Sequence, residues 1–338
     1  MLNGKGLLFA CRINVCFWKM KEVQQKKVRK AWIDALRAVA ILFVVYGHRA
    51  RTLPYLAFVN PIKMPLFFAL SGYLFKIREG GDKVFFKKLF FSLVVPWLCL
   101  GLVPLLFAFP FKGVDHSVAN LVAFFCGKIF WFMPCFIVGE IFFYYTVKLC
   151  RNNTVLMIVT SLVFAVVGYF LKRYGLLDFM LINIAMTVQP YFLMGFLYRR
   201  FESKISKTLW WGLALVIAYF VLGWIFYPQS RMDVHYAAFS NLPLCSLMTF
   251  IGLLALFMLA PLLKYPKWLL AVGKNSLVIY MLDRYALIPF AMVFDFKHYP
   301  VAIIASVALI YLIWSAGICI LAAKVINRFA PWVTGNRG

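Results

Sequence analysis

The sequence predicts an all-α polytopic membrane protein, a bundle of about ten transmembrane helices with both termini in the cytoplasm. Three observations carry this. Apolar residues make up 64% of the 338 residues and charged residues only 14%. Soluble domains hold roughly 45–50% and about 25%. Mean hydropathy is +0.86, more apolar surface than a soluble fold of this length can bury. The apolar residues also gather into stretches of about 20, the length an α-helix needs to cross a bilayer. Third, the basic residues are shared unequally between the two sides of the expected bundle. Soluble globular, disordered, coiled-coil and fibrous classes are thereby excluded.

The stretches lie at about 33–52, 60–77, 88–110, 130–149, 155–173, 179–198, 208–227, 241–263, 272–294 and 300–323. Residues 118–127 are apolar but too short to cross, and fit an interfacial or re-entrant segment. An even number of spans puts both termini on one side. Of 36 Lys and Arg, 25 fall in the segments on that side and 9 on the other; Arg37 and Arg284 lie within spans. Lys and Arg concentrate in cytoplasmic loops, so this bias orients the chain. It also accounts for the net charge of +25, which in a soluble chain would suggest a nucleic-acid binder. No nucleic-acid partner is expected; the bilayer is.

Residues 1–30 read as a basic cytoplasmic segment, 31–325 as the ten-span domain and 326–338 as a short cytoplasmic tail. The first 20 residues make a poor signal peptide, since Arg12 breaks the apolar run and no small-x-small site follows. Met20, just before the basic run, is an equal alternative start. No soluble domain is expected after the last span, so a partner domain would be another chain. The eight cysteines form no CxxC pair and read as reduced packing residues. Four scattered His give no metal cluster, and no metal is expected. No internal repeat is visible, which counts against a transporter built from two related halves.

Ionisable residues inside a membrane cost about 2.5–3.5 kcal/mol each on the insertion scale, which makes them functional candidates. The first span, AWIDALRAVAILFVVYGHRA, holds Asp34, Arg37 and His48. Eleven residues separate Arg37 from His48, about three turns, so both fall within ~20° of one helix face, some 16 Å apart along the axis. Asp34 lies three residues before Arg37, close to the same stripe. A structural alternative makes Asp34 and Arg37 an interfacial ion pair and lets His48 end the helix.

Other candidates follow in chain order. MPLFFALSGYLF (64–75) brings Ser71 and Gly72 into an apolar helix, where small residues let backbones approach closely. Ser71 lacks a nucleophile elbow and is read as packing. Lys76, Arg78 and Lys83 precede Lys87 and Lys88 at the opening of the third span. They read as topology signals or as a phosphate cradle. Trp131 opens WFMP, and Glu140 sits in mid-span. Asp283 and Arg284 share the ninth span, about 100° apart on the helix, so they are poor partners for each other. Glu140 with Arg284 is one interhelical pair that would satisfy both.

Together these segments resemble the acyltransferase-3 family of membrane O-acyltransferases. The signature is Arg, ten residues, then His in the first span, met by Arg37 and His48. MPLFFALSGYLF is similar to the second-span motif of the fucose 4-O-acetylase-like subgroup. WFMP, QPYFLMGFLY (189–198) and GKNSLVIYML (273–282) follow in the family's order. Two positions depart: Asp283 stands where many relatives carry His, and Lys63 where members of the subgroup commonly carry the His of His-Met-Pro.

The resemblance implies transfer of an acyl group, acetyl by default, from cytoplasmic acyl-CoA to a hydroxyl on a glycan or lipid-linked glycan of the envelope. It implies His48 and Arg37 as catalytic residues. Arg37, Lys87, Lys88 and Arg78 would hold the donor's phosphates. Asp34, Ser71, Trp131, Glu140, Asp283 and Arg284 would support them, in the cell (inner) membrane. Two rivals compete with this reading: a transporter or flippase of a glycan lipid, which requires two compartments, and a non-catalytic scaffold, which would survive His48→Ala.

Overall fold

In a computed structural model, residues 30–48, 57–77, 79–107, 114–205, 208–227, 229–291 and 301–335 are described. Arg78 and the basic segment before Lys30 lie outside them. One compact unit runs from Trp32 onward, and it is mostly helical.

The helices are α1 (Ala31–Gly47), α2 (Asn60–Leu74), α3 (Gly81–Leu106), α4 (Val114–Phe125), α5 (Phe132–Leu149), α6 (Thr154–Arg173), α7 (Ile182–Thr187) and α8 (Gln189–Phe201). Then come α9 (Leu209–Ile225), a hairpin of β1 (Met232–Asp233) and β2 (Ala238–Phe239), α10 (Leu242–Leu259), α11 (Lys267–Lys274), α12 (Ser276–Ala291) and α13 (Val301–Phe329). Among the described residues, five helices are long and apolar enough to cross a membrane: α3, α5, α6, α10 with its continuation to Leu262, and α13 from Ala305. The segment Phe179–Thr187 and α8 make a sixth if their 51° bend counts as one span. The protein is therefore an all-α membrane protein in its architecture.

Sequence explains the irregular places. Pro190 lacks an N–H and cannot continue the helix behind it, and the chain bends there. Gln189 is buried in the bend, and its Nε2 donates to the carbonyls of Ala185 and Gly139. In α3, wider π-helical turns at Phe90–Val94 and Leu98–Leu102 flank Pro96, an adjustment expected where proline removes a ladder bond. The starts of α6 and α10 are capped by Asn153 and Asn241, whose side chains accept from the N–H of Leu156 and Leu244.

Between apolar helices the driving force is packing rather than escape from water. Helices α2 and α8 cross backbone against backbone. A Cβ added to Gly72 would lie 1.8 Å from the Phe192 carbonyl oxygen, and one on Gly195 would lie 1.8 Å from that of Ala69. The small residues of MPLFFALSGYLF and QPYFLMGFLY thus make one crossing. Around it Phe68 packs on Phe132 and Phe192, with ring centroids 5.3 Å apart in each pair. Gly273 of the GKNS segment packs likewise against α1, its would-be Cβ 1.7 Å from the Asp34 carbonyl. This fixes α1 beside α11 and α12. The six described cysteines are free, four buried and two half-buried; Cys11 and Cys16 lie outside the described residues.

Candidate active site

His48 ends α1, its N–H still bonded to the carbonyls of Val44 and Val45. Its Nδ1 lies 2.7 Å from Oδ2 of Asp283, on α12. Asp283 is buried (1%). Its other oxygen, Oδ1, accepts from the Tyr311 hydroxyl at 2.6 Å and the Ser315 hydroxyl at 2.6 Å. Tyr311 and Ser315 are four residues apart and therefore share one face of α13. With three donors converging on it, the carboxylate acts as an acceptor. The His48 bond is then a donation from Nδ1–H, which leaves the lone pair on Nε2. The His48 side chain stays 47% exposed while that of Asp283 is 2% exposed.

The open side of His48 faces a cavity of about 340 Å³, within the range of small-molecule sites. Val44 and Gly47 of α1, Asn60, Lys63 and Met64 of α2 and Tyr280 and Arg284 of α12 line it. Residues 128–131 and the hairpin residues 233–236 complete the wall. Trp131 stacks on His235, with centroids 4.6 Å apart and planes 11° from parallel. The N–H of Phe132, at the uncapped start of α5, donates to the Tyr280 hydroxyl at 3.1 Å. WFMP and GKNSLVIYML therefore meet at this cavity. Asn60 Nδ2 donates to the Met232 carbonyl at 2.7 Å, which ties the hairpin to α2.

The other candidates lie elsewhere. Asp34 and Arg37 stand one turn apart at 3.9 Å, Asp34 buried and the Arg37 side chain 31% exposed. With His48 at the far end of α1, Arg37 is about three turns from the cavity. Glu140 does not pair with Arg284: Ser71 donates to its Oε1, and Lys88 is within electrostatic reach. Arg284 is exposed and lines the cavity instead. Ser71 thus binds a carboxylate as well as sitting in a close-packed helix. Lys87 and Lys88 are exposed in the last turn of the segment Gly81–Leu89.

Sequence reading placed Asp283 among supporting residues but did not join it to His48, 235 residues away. It missed Tyr311, Ser315, Asn60, Lys128, Asp233 and His235. Tyr311 and Ser315 did carry a signal, two hydroxyls at helical spacing in a mostly apolar span. The hairpin residues carried none. No group of three or more His, Cys, Asp or Glu among the described residues is arranged to hold a metal ion.

The profile of the acyltransferase-3 family, described as an acyltransferase domain, matches residues 30–324. The chain belongs to this family. Membrane acyltransferase is accordingly its general activity, and the match spans every helix that builds the cavity and the His48–Asp283 pair. No curated protein and no solved structure matches the chain.

Proposed function

We propose that this acyltransferase moves an acyl group, acetyl by default, from cytoplasmic acyl-CoA to a hydroxyl of an envelope or extracellular glycan. His48 is the general base. The protein crosses the cell (inner) membrane ten times with both termini cytoplasmic. Within the family it stands nearest the fucose 4-O-acetylase-like subgroup.

The observation that carries the reading is the His48–Asp283 bond at the wall of a polar cavity. As the acceptor hydroxyl attacks the thioester carbonyl, its proton passes to Nε2 of His48. The C–O bond forms, the C–S bond breaks, and the thiolate of coenzyme A takes the proton back. Asp283 keeps Nδ1–H engaged and stabilises the imidazolium that forms. Tyr311 and Ser315 hold Asp283 in place. The lone pair on Nε2 can take the proton and hand it on, the task of a general base. Arg37, about 16 Å away along α1, with Lys87, Lys88 and Arg78, serves the donor's phosphates from the cytoplasmic side. The extended pantetheine arm bridges the distance. Asp34 keeps Arg37 in place.

The test uses membranes holding wild type or an equally expressed His48→Ala variant. Acetyl-CoA labelled in the acetyl group is supplied, and label is followed into lipid-linked and polysaccharide fractions. Label in glycan with wild type alone supports the reading. Equal labelling by both removes His48 from catalysis. A label trapped on wild-type protein at His48 replaces direct transfer with an acyl-His intermediate.

A further inference from the structure

The charges around the cavity exceed what the proton transfer needs. Besides His48, its lining holds three cations, Lys63, Lys128 and Arg284, against one carboxylate, Asp233. Arg284 follows Asp283 directly, so it projects about 100° away from the His48 pair. Arg284 and Lys128 are both exposed. Asp178, outside the cavity, lies within electrostatic reach of Lys128 but is bonded to Lys172. Neither Arg284 nor Lys128 has an ion-pair partner among the described residues.

Topology gives no reason for these cations. On the proposed orientation the cavity opens on the outer side, where Lys and Arg are sparse. Three converge there on one small cavity. In the same lining Trp131, His235 and Tyr236 stack into an aromatic wall, a surface that accepts the C–H face of a sugar ring. Asn60 adds a buried acceptor: its Oδ1 has no hydrogen-bond partner among the described residues, and a sugar hydroxyl would satisfy it.

Building on the acyltransferase reading, we propose that the acceptor is an anionic glycan whose carboxylate or phosphate is bound by Arg284 and Lys128 beside the His48–Asp283 pair. Arg284 supplies a planar fork for either anion, Lys128 a point charge. The aromatic wall positions the ring, and the hydroxyl to be acylated lies towards His48. The carboxylate of an acidic sugar and the phosphate that joins a glycan to a lipid or to its neighbour offer the same chemistry to these two side chains.

The test needs no turnover, so it stands apart from the acyltransferase reading. The purified full chain in detergent is heated with methyl glucoside, methyl glucuronide or methyl glucoside 6-phosphate. A ligand of the folded state raises the unfolding midpoint according to its concentration over Kd. The expected result is a Kd at least ~10-fold lower for one or both anionic glycosides than for the neutral one. Which anion wins identifies the source. Arg284→Gln combined with Lys128→Gln brings the glycosides within about twofold of each other, and so does high salt, which screens exposed charges. Both positions are exposed, so the variant folds; an unchanged midpoint without ligand verifies this. Equal binding of all three glycosides, or no binding of either anion, overturns the proposal. So does a preference that survives the double variant, or displacement of the anionic glycoside by coenzyme A, which would give these cations to the donor.

Discussion

Asp283 on α12 and Glu140 on α5 are two of the carboxylates within apolar helices, and their surroundings differ in kind. Each is bonded to a side chain from another helix. Glu140 meets Ser71, a neutral hydroxyl, and the bond ties α2 to α5 at the level where α2 also crosses α8. Asp283 meets a histidine whose far side opens on a cavity, and two hydroxyls of α13 hold it from behind. The same ionisable group in the same kind of helix is thus a fastening in one place and the orienting element of a base in the other. Being ionisable within an apolar helix marks both residues as candidates; what the bonded partner is open to separates them.

The comparison breaks most sharply at His48. His48→Ala is expected to lower acyl transfer by about 10²–10⁴-fold, the usual worth of a general base, measured as labelled acyl entering glycan. Asp283→Asn should fall within about tenfold of that loss. An amide can donate to Nδ1 and so move the imidazole proton to Nε2, where the base is needed. Tyr311→Phe and Ser315→Ala each remove one bond to a charged group, and each should reduce kcat about tenfold with KM for acyl-CoA little changed.

Glu140→Gln sharpens the contrast from the other side. The amide oxygen still accepts from Ser71, so transfer should stay within about threefold of wild type. Stability, followed as the unfolding midpoint in detergent, should fall by about 1 kcal/mol or less. Glu140→Ala removes the acceptor altogether and should cost about 1–3 kcal/mol. A loss of transfer by Glu140→Gln as deep as that of Asp283→Asn would erase the distinction.

The smallest effect lies at the turn between α6 and α7. The Lys172 ammonium, 2.8 Å away, together with Asn183, holds the Asp178 carboxyl below its ordinary value. A depressed folded-state pKa stabilises the fold above the unfolded value near 3.8, and that contribution is lost as pH falls through the folded value. The pair is partly exposed, so the effect should stay below ~1 kcal/mol. Lys172→Met should lower the unfolding midpoint slightly at pH 7, and the difference should shrink as pH falls below the ordinary carboxyl value of 3.8.

Much of this was legible in the chain. Apolar stretches of membrane length gave the helical class, and a helix lies within each one. Arg37 and His48 share one helix, so their spacing of eleven residues determines their relation through helical geometry alone. Glycine placement in MPLFFALSGYLF announced a close helix crossing, though only the fold joins Gly72 to Phe192 and Gly195 to Ala69. Contacts between distant helices were out of reach because nothing periodic links residue 48 to residue 283. A physical clue existed nonetheless: Asp283 could not use its neighbour Arg284, and an intramembrane carboxylate without a local partner needs a distant one. Glu140 with Arg284 answered that need by charge alone, whereas packing brought Ser71 to Glu140 and left Arg284 to the cavity. The cavity's hairpin wall, with Asp233 and His235, was hidden because short polar loops carry no pattern.

The central claim is that His48 and Asp283 act as one unit. It is tested most directly by a double-mutant cycle of His48→Ala and Asp283→Asn, read as the rate of labelled acyl transfer at equal expression. If Asp283 works only through His48, adding Asp283→Asn to His48→Ala costs nothing further, and the two single losses are strongly non-additive. If the losses multiply, Asp283 acts independently of His48 and the account of the base is wrong.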